Sequence, residues 1–216
     1  MITLHSYFRS SCAWRVRLGL AIKGLSYELF PVHLLRDGGE QHRPEFHKQN
    51  PLEQVPVLEV GEGARLFRIT QSMAILEYLE ETYPKPPLLP QGAEQRARVR
   101  QLSEVINSGI QPLQNLKLQQ ELRARNVDPG PLTRAFIEQG LTAFEHIARG
   151  SAGRFVVGNE LTLADVFLIP QLAVARRMQA NVDGLPLLLK IERECEQLEA
   201  FRAAHPEQQP DYEPGN

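Results

Sequence analysis

Apolar positions change period several times along the first eighty residues. Alternation over Ile2 to Phe8 predicts a strand, three- and four-residue spacing from Ala13 to Lys23 predicts a helix stopped by Gly24, and Tyr27 to Leu34 predicts a second strand. A β-α-β unit therefore opens the chain. Arg43 to Lys48 reads as a short helical link. Val57 to Val60 and Leu66 to Ile69 flank the Gly61-Glu62-Gly63 turn as a hairpin, and a helix over Ser72 to Tyr83 follows with Ile75, Leu76 and Leu79 on one face. Pro84, Pro86, Pro87 and Pro90 then interrupt everything, because each lacks an amide hydrogen and has a fixed φ. Beyond them alternation stops and helical spacing takes over, through Val99, Leu102, Ile106, Leu113 and Leu116, through Leu132, Phe136, Leu141, Phe144 and Ile147, and through Leu188, Ile191, Cys195 and Leu198. Thr162 followed by Asp165 is a capping-box variant, and the helix it opens, Leu163 to Met178, is apolar nearly all round and should be the buried central one. From His205 the chain is polar, with Pro206, Pro210 and Pro214, and is expected to run over the surface. The expected architecture is α/β plus all-α: one domain over residues 1–83, a proline-rich linker at 84–90, and a helical domain over 91–216.

Composition narrows the functional classes. The 216 residues are 42% hydrophobic and 23% charged, the balance of a folded globular protein. With Lys+Arg 24 against Asp+Glu 26, a net charge of -2 offers no general attraction to phosphate backbones or anionic membranes, so neither nucleic acid nor a membrane is an expected partner. The longest apolar stretch, Leu161 to Ala175, contains Asp165, Pro170 and Gln171 and falls short of the roughly 20 residues that span a bilayer. Met1 to Ser11 has no basic region followed by an apolar core, and a cytoplasmic location is expected. Cys12 and Cys195 suggest no disulfide framework. His42 and His47 are five apart, off one helical face, and no cysteine pair has zinc spacing, so no metal is expected.

Three places carry chemistry. Ser10-Ser11-Cys12 lies between the first strand and the first helix, where unpaired amides and the positive end of the helix dipole stabilise an anion such as a thiolate. A serine that merely caps the helix beside a packed cysteine gives the same pattern. Val55-Pro56 stands before a strand, where a cis bond would turn the Val55 backbone toward the first helix to pair with a peptide-like ligand; a trans proline opening an edge strand is the alternative. Gln71-Ser72 starts the next helix, either as a plain cap or as a carboxylate site.

Taken together, these starts on one edge of a small sheet match the glutathione site of a thioredoxin-like fold, and the chain resembles the zeta class of glutathione transferases. The resemblance rests on Tyr7-Phe8-Arg9-Ser10-Ser11-Cys12-Ala13-Trp14-Arg15-Val16-Arg17, on Asn50-Pro51, Gln54-Val55-Pro56 and Gln71-Ser72, and on the run Gly109 to Asn115 and Leu163-Ala164-Asp165, in order over both domains. It implies an N-terminal thioredoxin-like domain with a C-terminal helical bundle, glutathione as cofactor, and a homodimer. By resemblance, Ser10, Ser11 and Cys12 are catalytic at the glutathione sulfur. Gln41, Val55 and Pro56 would meet its middle, Gln71 and Ser72 its γ-glutamyl end, and Gln111 and Asn115 would contribute from the helical domain. Arg9 and Arg177 would receive the carboxylates of a small dicarboxylate substrate, since guanidinium pairs with them bidentately; Arg176 would make the surroundings of Arg177 more positive. The implied activity is cis-trans isomerisation of maleylacetoacetate to fumarylacetoacetate in tyrosine and phenylalanine breakdown. Isomerisation of maleylpyruvate, action on α-halo acids, and a non-catalytic protein-binding module are the alternatives.

Overall fold

A computed structural model of the protein describes residues 1–214. Residue contacts divide the chain into two units, Met1–Pro86 with the chain from Leu198 onward, and Pro87–Gln197.

In the first unit the elements run β1 (Ile2–Ser6), α1 (Ser11–Ile22), β2 (Glu28–Pro31), α2 (Pro44–His47), β3 (Val57–Val60), β4 (Phe67–Thr70) and α3 (Ser72–Thr82). They form one four-stranded sheet of order β2-β1-β3-β4, with β1 parallel to β2 and antiparallel to β3, and β3 antiparallel to β4. Neighbouring residues of a strand face opposite sides, so each sheet face has its own core. Leu4 and Leu58, paired across β1 and β3, pack with Val16 and Leu20 of α1 and Ile75 and Leu79 of α3. On the other face Val57 joins Tyr7, Phe8, Val32, Val55 and Phe46 of α2. The helices approach closely: a Cβ on Gly19 would stand 2.4 Å from Leu76 Cδ2. At the end of α1, the buried Lys23 ammonium spends its donors on Glu80 at 2.8 Å, the Tyr83 carbonyl at 2.7 Å and the Pro86 carbonyl at 3.0 Å. The second strand is shorter than its apolar run suggests. In the hairpin a 3₁₀ turn over Gly63–Arg65 lies between β3 and β4.

The second unit is helical: α4 (Ala93–Glu104), α5 (Leu116–Ala124), α6 (Pro129–Ala148), α7 (Leu163–Arg177) and α8 (Pro186–Glu196). Between α4 and α5 the backbone passes through a π-turn over Val105–Ile110 and a 3₁₀ turn over Gln111–Gln114. Ile110, at the end of the π-turn, packs so tightly on α6 that a Cβ on Gly140 would come within 2.4 Å of it. Helix α7 is buried through most of its length and its capping box forms as expected: Asp165 accepts from the Thr162 amide at 2.9 Å and hydroxyl at 2.8 Å, and also from the Val156 amide at 2.8 Å. Complete burial pushes the Asp165 carboxyl up to about 6, against the pull of those bonds. Among the described residues no helix is long and apolar enough to cross a membrane.

The last segment departs from expectation. The spacing through Leu188, Ile191, Cys195 and Leu198 suggests one helix, but α8 ends at Glu196 and a separate α9 (Glu199–Ala203) follows. From Leu198 onward the chain, expected with the helical domain and on the surface, packs with the first unit. Phe201 and Ala204 are buried there, and Arg17 of α1 donates to the Ala204 carbonyl at 3.2 Å. Local periodicity reports which face of a helix is apolar and not which body buries it.

Candidate active site

Sheet register assembles the site. Val57, the first residue of β3, pairs with His5 near the end of β1 and with Thr70 at the end of β4. The chain after β1, before β3 and after β4 therefore meets at one end of the sheet, and Ser10 to Cys12, Val55-Pro56 and Gln71-Ser72 lie in those segments.

Ser10 is the N-cap of α1, in extended conformation at φ -71° and ψ 117°, and its Oγ accepts from the Ala13 amide at 3.2 Å. An oxygen used as a helix acceptor keeps its own proton for a second partner. Ser11 is the first helical residue and is buried; Cys12 beside it is half-buried. The first-turn amides and helix dipole make this end of α1 favourable for an anion. The other cysteine, Cys195, is buried and its thiol is pushed up by desolvation, which leaves it inert.

The Val55-Pro56 bond is cis. The loop before it is held by Asn50, whose Nδ2 donates to the Gln54 carbonyl at 2.7 Å while Oδ1 accepts from the Leu52 amide at 3.1 Å. Within that loop Glu53 adopts φ +56° and bonds His42 at 2.6 Å and His47 at 2.9 Å, contacts that hold its carboxyl below the usual range. Gln41 is buried, and its Nε2 donates to the Leu34 carbonyl at 3.3 Å. Its Oε1 is buried without a hydrogen-bond partner among the described residues, an acceptor that suits an amide donor of a peptide-like ligand.

Gln71 stands at φ +69° and ψ 116°, a conformation side chains rarely adopt and one the sequence does not announce. It delivers Ser72, buried, to the first position of α3. The Arg15 guanidinium, fully buried, donates to Ser72 Oγ at 3.3 Å, so a cation and a helix N-terminus stand at one hydroxyl that still has a proton to give. These groups fit a carboxylate. Arg15 and Arg17 stand on different sides of α1, which is buried nearly all round from Ala13 to Leu20, and two arginines in an otherwise apolar helical run are the signal that could have singled them out. Arg17 donates to Ser6 Oγ at 3.1 Å and to the carbonyls of Tyr7 at 3.4 Å and Phe8 at 2.9 Å. Burial lowers its pKa to about 10, so it stays charged at neutral pH.

The remaining expected residues divide between the units. Arg9, half-buried, holds its guanidinium 6.0 Å from the Tyr7 ring centroid in the first unit. In the second, Gln111 opens the 3₁₀ turn, and Asn115 caps α5 through Oδ1, which accepts from the Lys117 amide at 2.9 Å. Gln114 and Gln171, absent from the expected set, form a reciprocal buried amide pair at 2.9 Å in each direction. Arg177 is exposed at the end of α7. Arg176 does not add free positive charge beside it, because both guanidinium ends pair with Glu192 at 2.5 Å. Among the described residues no group of three or more His, Cys, Asp or Glu is placed to hold a metal ion.

Known proteins resemble this chain. Residues 1–81 fit the family model described as "Glutathione S-transferase, N-terminal domain". The maleylacetoacetate isomerase of Mus musculus is 46% identical over 208 residues, covering 96% of this chain and 94% of its own. The chain belongs to the zeta class of glutathione transferases, the family of the maleylacetoacetate isomerases. The crystal structure of the maleylacetoacetate isomerase of Anaeromyxobacter dehalogenans with glutathione bound in its active site superposes on this zeta-class fold at a TM-score of 0.91, with 48% identity over 99% of this chain and 98% of that one. A second structure of the same enzyme carries dicarboxyethyl glutathione and citrate in its active site. A bacterial maleyl pyruvate isomerase of the zeta class matches with a TM-score of 0.91 at 35% identity, over 98% of this chain and 100% of its own.

Proposed function

We propose that the protein is a glutathione-dependent maleylacetoacetate isomerase. The observation that carries the reading is the convergence of the capped N-terminus of α1, the Val55-Pro56 segment before β3 and the Arg15-backed Ser72 at one end of the sheet. It is supported by a relative of that activity at 46% identity over nearly the whole chain. Glutathione supplies, when bound, a thiol that adds reversibly to an alkene conjugated with a carbonyl, so the former double bond can turn before elimination.

The residues of the chain bind, orient and stabilise. Ser10, with its acceptor side satisfied by Ala13, donates a hydrogen bond from its hydroxyl to the thiolate, and the amides of α1 add positive potential. Ser11 and Cys12 line the same helix start, with Cys12 tuning it rather than forming a covalent bond. Val55 offers backbone groups, Pro56 sets their direction, and Gln41 accepts from a peptide amide through Oε1. Gln71 and Ser72 take the γ-glutamyl end, the latter with Arg15 behind it. Gln111 and Asn115 serve from the helical unit. Arg9 and Arg177 take the carboxylates of the second substrate.

Maleylpyruvate is the second reading, favoured by the likeness to a maleyl pyruvate isomerase at 35% identity, below the 46% and 48% of the maleylacetoacetate enzymes. Comparing catalytic efficiencies on the two maleyl substrates with glutathione decides between them. Failure to bind glutathione would overturn both. We further propose a cytoplasmic homodimer. The exposed Leu52 and Phe67 of the first unit are apolar groups for a partner subunit to cover, and sedimentation as a monomer at micromolar concentration would reject the assembly.

A further inference from the structure

The segment 204–213 does not merely cover the first unit; it grips the loop between β1 and α1. Gln209 Nε2 donates to the Ala203 carbonyl at 3.0 Å and the His205 carbonyl at 2.9 Å, and the Tyr212 amide bonds the Gln209 carbonyl at 3.0 Å, which folds the segment back on itself. The His205 ring stands edge-on to Trp14 of α1 at 5.3 Å. From there Asp211 Oδ2 accepts the Phe8 amide at 2.8 Å, across 203 residues of sequence. Next to it, the Tyr212 ring meets the Phe8 ring edge-on at 5.5 Å. Glu213 pairs with the Arg36 guanidinium and lies 3.4 Å from His33 Nε2, anchoring the far end.

Phe8 is 2% exposed, two residues before the Ser10 cap. Its carbonyl is held by Arg17 and its amide by Asp211, so both main-chain polar groups are tied by side chains, one of them from the far end of the chain. Asp211 Oδ1 is buried without a hydrogen-bond partner among the described residues, and the carboxylate charge acts on the nearby Arg17 guanidinium. The carboxylate is thus held by the Phe8 amide. Without it, the Phe8 amide must seek another acceptor, and any shift it makes carries Ser10 along. A misplacement of about 1 Å at a reacting group is enough to cost on the order of a hundredfold in rate.

We propose that Asp211, with Tyr212, is a positioning residue of the glutathione site, setting the Tyr7 to Ser10 loop and through it the thiolate-stabilising hydroxyl. This rests on the glutathione reading above. The test compares the wild type with Asp211→Ala, Asp211→Asn and, as a control in the same segment, Glu207→Ala. It reads glutathione affinity by calorimetry, the pKa of the bound thiol by thiolate absorbance, and hydrogen exchange of the peptide spanning residues 7–12 without ligand. Expected for Asp211→Ala are about tenfold weaker glutathione binding, equivalent to one charge-assisted hydrogen bond, a raised thiol pKa and faster exchange of the loop. Asp211→Asn keeps an acceptor oxygen and should fall nearer the wild type, and Glu207→Ala should match it. Wild-type affinity, thiol pKa and exchange in Asp211→Ala would overturn the proposal. If Asp211→Ala does not fold, Tyr212→Ala is measured in the same three ways: weaker binding, a raised thiol pKa and faster exchange support the proposal, and wild-type values overturn it. A wild type that binds no glutathione defeats the functional reading instead, while loop exchange still reports whether Asp211 holds the loop.

Discussion

Ser10 is asked to do two things with one oxygen, and substitutions can separate them. Its Oγ caps α1 by accepting from the Ala13 amide at 3.2 Å, and in the proposed site its hydroxyl donates a hydrogen bond to the thiolate. Ser10→Ala removes both. Loss of an N-cap costs about 1 kcal/mol, and at about 2 to 4 °C per kcal/mol for a chain of this size the melting temperature should fall by roughly that amount. Loss of a hydrogen bond to a charged group costs about 1.5 to 3 kcal/mol, which at 1.36 kcal/mol per unit raises the thiol pKa by about 1 to 2 units. At pH values below the thiol's pKa the thiolate then drops by roughly tenfold to a hundredfold, and turnover with it. Ser10→Asp is the separating variant, because a carboxylate caps as well as serine yet has no proton to give and repels a thiolate. It should melt close to the wild type while its bound thiol titrates as high as in Ser10→Ala or higher. Ser10→Thr keeps both functions and should recover both. The assay is thiolate absorbance of the glutathione complex against pH, beside a thermal melt. A Ser10→Asp protein that ionises its bound thiol like the wild type would rule out Ser10 as the hydrogen-bond donor to the thiolate, and so would Cys12→Ala harming activity more than Ser10→Ala.

Arg9→Ala and Arg177→Ala should each lower catalytic efficiency on the diacid by roughly tenfold to a hundredfold, one charge-assisted pair apiece, with little change in glutathione affinity; near-normal efficiency in both would reject the carboxylate assignment. Asp165→Ala leaves three donors without an acceptor in a fully buried position, so stability should fall by about 3 kcal/mol or more, read as a large drop in melting temperature; a shift within one or two degrees would contradict it. His5, between the Phe30 and Phe46 rings, is harder to protonate folded than unfolded because burial outweighs Glu59 at 3.5 Å. Its contribution is present above the unfolded value of about 6.5 and is lost as pH falls toward the lowered folded value, so denaturant stability should decline less on acidification in His5→Phe; an unchanged pH dependence would dismiss this.

Much of this protein can be read from residue order alone, and the reason is locality. Periodicity locates β1, α1, β3 and α3, the proline run stops the first body close to where contacts divide the chain, and Thr162 with Asp165 announces a capping box that forms. Ser10, Val55-Pro56 and Gln71-Ser72 stand out for the same reason, since a cap, an X-Pro bond and a helix start are each decided within a few residues. What only the fold decides are relations between distant residues. That these three segments share one end of a sheet follows from the pairing of Val57 with both His5 and Thr70. Arg15 meeting Ser72, Arg17 meeting the Phe8 and Ala204 carbonyls, and Arg176 neutralised by Glu192 are choices of partner that composition leaves open. The polar segment after His205 shows the limit most plainly: by pattern it belongs on the surface, yet Asp211 is drawn in because a buried amide at Phe8 must have an acceptor and the strand and helix on either side offer none.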